Sequence, residues 1–278
     1  MEKLDRLGWA AGLSVSSYGV RIGVRTNDPA VLPRVQSVLP PCSRPSPARL
    51  VDRLVSLTVG GPDPRRNLRR FHLLYADSQQ LSRTRDLDEL LAVLETHLKL
   101  YVAERARRRV FVHAGVVGWR GRALLLPGSS HAGKSTLVTE LVRRGARYYS
   151  DEYAVLDASG RVHPYARDPQ VKVGGGRSVS LPLSELGGRP GREALPVGLV
   201  ALARYQDGSR WRPRLISAGP GALEVLAHTV PARLRPEAAL AALHRVVNRA
   251  PVWKGTRGEA AEAAAWLLEA RERGGKRA

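Results

Sequence analysis

The residues with the plainest chemical reading lie between positions 128 and 136. Gly128 and Gly133 bracket Ser129, Ser130, His131 and Ala132, and Lys134, Ser135 and Thr136 follow. The spacing Gly-x-x-x-x-Gly-Lys-Ser is the Walker A pattern. Glycine at each end lets the backbone curl so that successive N–H groups point inward at phosphate oxygens. The Lys134 ammonium can reach the β- and γ-phosphates of a nucleotide, and the Ser135 hydroxyl can ligate Mg²⁺. A helix starting here turns its positive end toward the same oxygens. With 27 Gly and 6 Lys in 278 residues, chance supplies only about 0.005 such matches. The pattern therefore predicts ATP and Mg²⁺ as cofactors, with residues 128–136 as the phosphate cradle.

Phosphoryl transfer is mostly positioning and charge neutralisation, so such a site also needs carboxylates. Asp151 and Glu152 stand adjacent just after the expected loop helix, where the next strand should return beside the loop. Adjacent carboxylates at a strand end are costly unless a cation sits beside them, and a phosphate site supplies one. The plainer alternative is a solvated acidic strand end. Upstream, His113 lies on a strand that leads into the loop strand. A lone histidine on a strand is usually structural, and His163, after the turn Ala158-Ser159-Gly160, reads that way.

The elements that must position these residues follow from pattern. Ala123–Leu126 is a buried-type strand directly before the loop. Leu137, Val138, Leu141 and Val142 give the helix after it an apolar face, and Gly145 stops it. Farther upstream, Leu13–Ser16 and Val20–Arg25 read as strands around Tyr18-Gly19, and Val51–Val59 and Phe71–Tyr75 as two more. Residues 28–39 suggest a short helix broken by Pro33, and 60–70 a polar turn. Asp86, with Glu89 three residues on, opens the most regular helix, whose Leu87, Leu90, Leu91, Leu94, Leu98 and Tyr101 recur at helical spacing. Two Ala-rich helices, Pro236–Asn248 and Glu259–Arg273, fill the C-terminal third, and 274–278 read as frayed. The organisation expected is a small α+β, β-rich N-terminal domain over 1–85 and a catalytic domain over 86–278.

The chain carries 45 basic and 25 acidic residues, a formal charge of +20. Of the basic residues 39 are Arg, which looks like genome composition as much as selection for a partner. The charge is spread along the chain, and only Arg105, Arg107, Arg108 and Arg109 cluster. Nucleic-acid binders more often concentrate charge on one element with aromatics interleaved, so nucleic acid is disfavoured as partner. An acidic or phosphorylated ligand fits the field equally well. The single cysteine, Cys42, excludes an intramolecular disulfide framework and a multi-cysteine metal site. No apolar run is long enough to span a membrane, and the charged N-terminus lacks a signal-peptide core, so the expected location is the cytoplasm, with no membrane partner.

Taken together, the series His113-Ala114-Gly115, Gly128–Ser135, Arg144-Gly145 and Asp151-Glu152 resembles the C-terminal catalytic domain of the bacterial HPr serine kinase/phosphorylase family. It is particularly similar to divergent relatives that act as tailoring kinases on lasso-peptide precursors. The resemblance covers roughly residues 110–157. It implies an α/β P-loop kinase domain akin to phosphoenolpyruvate carboxykinase. It also implies that Asp151 takes the proton of an acceptor serine, that His113 and Lys134 belong to the catalytic group, and that Ser135 and Glu152 hold magnesium. Family members form hexamers, so a homo-oligomer is compatible with it. Glu152 stands where the family usually has a second Asp. The family's second Gly-rich signature has only a weak counterpart in Gln170–Arg177, which argues against phosphorylase activity and against HPr itself as acceptor.

The function expected is an ATP-dependent kinase acting on a hydroxyl, with Ser foremost, of a peptide, protein or small molecule. The alternative is a nucleotide-binding regulatory or assembly protein with little turnover, which would need the loop but not a base near the γ-phosphate. A nucleic-acid-associated ATPase would need a translocation apparatus, for which there is no motif.

Overall fold

The computed structural model describes residues 5, 8–63, 68–69, 71–129, 132–165, 167–173 and 177–274. Ser130 and His131 of the expected cradle, Gly174–Gly176 of the weak Gly-rich segment, and residues 275–278 of the frayed end lie outside them. By its contacts the chain divides into two compact units, Met1–Arg107 and Arg108–Ala278.

In the first unit, β1 (Ala11–Ser17) and β2 (Val20–Thr26) form an antiparallel hairpin. Its two-residue turn has positive φ at both Tyr18 (49°) and Gly19 (83°), the backbone twist that suits a tight hairpin. A short 3-10 turn (Pro29–Val31) and α1 (Leu32–Ser37) follow. Pro33 does not break this helix: it lies in the first turn, where a missing N–H costs nothing. The strands β3 (Arg44–Pro45), β4 (Arg53–Thr58), β7 (His72–Ala76) and β8 (Gln79–Thr84) complete a six-stranded sheet of order β3-β1-β2-β4-β7-β8. Between them β5 (Pro62–Asp63) and β6 (Leu68–Arg69) form a separate small hairpin where a polar turn was expected. Helix α2 (Leu87–Arg105) is capped by Asp86, whose side chain accepts from the N–H groups of Asp88 and Glu89. Its buried Leu90, Leu91, Leu94 and Leu98 form the stripe that packs on β7 and β8. The division therefore falls after residue 107, not after 85, because α2 buries its apolar face on the first unit's own sheet.

The second unit is a mixed α/β fold compatible with an HPr kinase-like domain. Its first strands are β9 (Val110–Trp119) and β10 (Arg122–Pro127), followed by α3 (Lys134–Arg143). Next come β11 (Arg147–Ser150), β12 (Tyr153–Leu156), β13 (Arg161–His163) and the separate hairpin β14 (Gln170–Val173) with β15 (Arg177–Ser180). Then β16 (Leu195–Tyr205), β17 (Arg214–Ile216), α4 (Ala218–Leu226), α5 (Pro236–Val247), β18 (Val252–Arg257) and α6 (Ala260–Gly274) complete it. The sheet runs β10-β9-β12-β13-β16-β18-β17, with β11 on β9 and a further parallel pairing of β10 with β16. One face is covered by α4 and α5, whose Val225, Ala239, Leu243 and Val246 pack on Val112, Ala114 and Val116. The other is covered by α3 and α6, through Leu137, Leu141, Ala263 and Leu267 on Leu124 and Leu199. Burial on both faces explains why β10 and β16 read as continuous apolar runs without alternation. Helix α3 ends as expected at Gly145 (φ 93°), with Gly145 N–H on Val142 O and Ala146 N–H on Leu141 O.

Candidate active site

Strand β10 delivers the loop and α3 receives it. The antiparallel pairing of β9 with β10 continues one step past Pro127, where Gly128 N–H donates to His113 O at 3.2 Å. The loop thus starts locked to His113. A Cβ on Gly128 would lie 3.2 Å from the Ala132 Cβ and 3.6 Å from Lys134 Cδ, so the turn is tight there. Gly133 closes the loop with φ of 76°, a conformation that favours glycine. Leu137 N–H donates to Gly133 O at 3.1 Å across the junction of loop and helix. The N–H groups of Lys134, Ser135 and Thr136, in the first turn, have no intrahelical acceptor and are available to an anion.

Lys134 folds over this loop. Its Nζ donates to Gly128 O at 2.9 Å and Ser129 O at 2.7 Å, and lies 3.2 Å from His113 Nε2. Burial pulls the ammonium down to about 8, against the charges of Asp151 and Glu152, which favour its proton. His113 is lowered to about 4, first by burial and then by Lys134, so its imidazole is neutral near pH 7. An ammonium can only donate, so Nε2 is the acceptor and the ring proton sits on Nδ1.

The carboxylates enter along β9. Strands β11 and β12 are one strand in two pieces: both pair antiparallel with β9, and after a bulge between Tyr148 and Ser150 they keep one register from Ser150↔Val116 to Leu156↔Val110. Asp151 and Glu152 occupy the break. Ser150 Oγ makes the turn by accepting from the N–H groups of Glu152 (3.0 Å) and Tyr153 (2.9 Å). Ala114 N–H bonds Glu152 O at 3.2 Å. Asp151 is only 9% exposed and so does not face open water, while Glu152 is half-buried. Its Oδ1 accepts from the Tyr148 hydroxyl at 2.8 Å, and burial, together with this carboxylate, drives the Tyr148 phenol well above its usual range.

Of the expected site residues, His113, Gly128, Ser129, Lys134, Asp151 and Glu152 come together, with Ser135 and Thr136 on the first turn of α3. Two residues join them unannounced. His228, after α4, accepts from His113 N–H through its carbonyl at 2.7 Å, and its imidazole is lowered by burial and by Lys134. Arg257, 2% exposed at the end of β18, donates to Gly133 O at 2.7 Å and to Gly258 O at 2.8 Å. A Cβ on Gly133 would lie 2.4 Å from its guanidinium, a second reason for glycine there. Neither residue carries a local sequence signal, since both arrive by long-range packing. His163 is structural as expected: its Nε2 lies 2.8 Å from Asp157 Oδ2.

Two depressed histidines give a pH prediction. The unfolded chain protonates histidine near 6.5, whereas the folded unit resists protonating His113 until about 4 and also disfavours protonated His228. Stability is thus full above about 6.5 and falls as pH drops toward 4, by about 1 kcal/mol at pH 5 after allowing for screening. Thermal melts of wild type and His113→Gln between pH 7 and 5 measure it. The wild-type curve should be the steeper, and parallel curves would refute the assignment.

A strand, a glycine-rich loop and a helix beside a broken strand that carries two carboxylates define a candidate phosphate-handling site on a mixed α/β fold. No family model matches the chain. Part of it is similar to the HPr kinase/phosphorylase of Limosilactobacillus reuteri (strain DSM 20016), with 34% identity over 110 residues. The HPr kinase/phosphorylase of Limosilactobacillus reuteri subsp. reuteri (strain JCM 1112) matches to the same extent. The match takes in 36% of this chain and spans 32% of the relative's length. It supports a distant HPr kinase-like relationship. No helix among the described residues is long and apolar enough to cross a membrane.

Proposed function

We propose that this chain is an ATP-dependent phosphotransferase that moves the γ-phosphate of ATP to a hydroxyl, serine foremost, of a peptide, protein or small molecule. The observation that carries the reading is the convergence of Lys134, His113, Asp151 and Glu152 on one glycine-bounded loop. A pure binding module has use for the lysine and the loop, but none for a nearly buried carboxylate oriented by a tyrosine. Lys134 and the first N–H groups of α3 hold the phosphates. Asp151, steadied by Tyr148, takes the proton as the acceptor oxygen bonds phosphorus and the bond to the ADP oxygen breaks. Neutral His113 accepts from Lys134 and keeps the ammonium over the loop.

Among the described residues, no group of three or more His, Cys, Asp or Glu could hold a metal by itself. That fits Mg²⁺, which keeps waters and binds through one or two carboxylates plus substrate phosphates. Ser135 and Glu152 are its protein ligands in this reading, and the ion would offset charge on the phosphate oxygens. The resemblance of the sequence motifs to tailoring kinases leads us to propose a peptide acceptor in the cytoplasm, recognised by residues 1–85. Purified protein incubated with γ-labelled ATP, Mg²⁺ and cell extract tests the reading. Label should pass to a hydroxyl of an acceptor, whereas binding of ATP with no transfer would leave the regulatory or assembly role in its place.

A further inference from the structure

The chemistry so far uses one flank of the loop. Strands β10, β16 and β18 lie side by side and run parallel, and their carboxyl ends are Pro127, Tyr205 and Arg257. Ligands of α/β sheets bind outside such ends. His113, Asp151 and Glu152 stand on the β9 side of β10, while Tyr205 and Arg257 stand on the β16 side. A triphosphate with its terminal group at the carboxylates sends its other end along the loop to the opposite flank.

That flank offers an aromatic face. Tyr205 is 43% exposed, and its ring lies 5.4 Å from the guanidinium carbon of Arg257. Its Cβ would be 3.5 Å from a Cβ placed on Gly133, so the residue borders the loop directly. Behind it, Arg257 is held by two backbone carbonyls, Gly133 O and Gly258 O. A cation fixed against an aromatic ring also fixes the ring, and a flat, half-exposed π surface suits stacking by a base of any sequence. We propose that Tyr205, backed by Arg257, is the stacking platform for the nucleobase, so that the β16–β18 flank binds the nucleoside half of the nucleotide.

This inference rests on residues 128–136 being a nucleotide phosphate site, and inorganic tripolyphosphate separates the two, because it has phosphates and no base. Titration calorimetry on the full chain with Mg²⁺ would compare ATP and tripolyphosphate for wild type, Tyr205→Ala and Tyr205→Phe. Tyr205→Ala should weaken ATP about tenfold and leave tripolyphosphate unchanged, and Tyr205→Phe should bind ATP like wild type. Equal losses for both ligands would mean that the ring acts only through the loop, and no loss for either would mean that it touches neither; each overturns the platform. If wild type binds neither ligand, the phosphate site itself falls and takes the platform with it.

Discussion

Lys134→Met should lower phosphoryl transfer by at least about 10²-fold and ATP affinity by about tenfold or more, without lowering the melting temperature of the free protein. The first two effects follow from losing a charged donor aimed at the phosphates, which counts most when charge develops in the transition state. The third follows from the sign of the lysine's shift. Its folded pKa, about 8, lies below the ordinary 10.5, so the folded site favours the charged form less than the unfolded chain does. The resulting penalty grows as pH falls from 10.5 toward 8 and is fully present at neutral pH. Methionine keeps most of the volume and removes the charge. Exposed Ser129 O can turn to water, whereas buried Gly128 O and half-buried His113 Nε2 lose a donor, a cost that the relief of the buried charge has to offset. A lysine kept at a cost to the free fold is what a site reserved for an anion requires. Kinetics, calorimetry and melting on the one variant check all three. A variant that transfers phosphate at the wild-type rate rules out the phosphate role, and a large fall in melting temperature makes Lys134 a structural brace instead.

What the sequence showed and what it hid divide along the range of the interactions involved. The hairpin at Tyr18-Gly19, the Asp86 cap, the glycine-bounded loop and the stop at Gly145 are each decided within a few residues, so pattern reaches them. The face on which α2 buries Leu90, Leu94 and Leu98 is a tertiary matter, and so the domain boundary was misplaced by some twenty residues. Asp151 and Glu152 were legible as a pair after a strand. That the strand resumes at Tyr153 in the register set at Ser150 depends on β9, about forty residues upstream. Strand β16 is largely a run of buried apolar residues and β18 a short mixed one, and only their parallel pairing beside β10 brings Tyr205 and Arg257 to Gly133. The same holds for His228, which reaches His113 through one backbone hydrogen bond.

Asp151→Asn should leave ATP binding nearly intact while lowering transfer by about 10²–10⁴, the usual worth of a general base. Asparagine retains the size, and its carbonyl can still accept from the Tyr148 hydroxyl, so the 2.8 Å contact that orients the group survives. What it loses is the capacity to take a proton from the acceptor. Glu152→Gln should act differently: the rate recovers at saturating Mg²⁺, but the concentration for half-maximal rate rises, because an anionic ligand becomes neutral. The backbone role of Glu152, its carbonyl on Ala114 N–H, is the same in either variant, which keeps the strand break in place. Tyr148→Phe completes the set. Removing the hydroxyl leaves Asp151 without that donor and should reduce transfer less than Asp151→Asn, since the base remains but is less well oriented. Measured together, ATP affinity, Mg²⁺ dependence and transfer rate separate base, metal ligand and positioning group. An Asp151→Asn enzyme that transfers at the wild-type rate removes the base assignment and leaves the pair as a buried acidic turn whose charge serves only to hold Lys134.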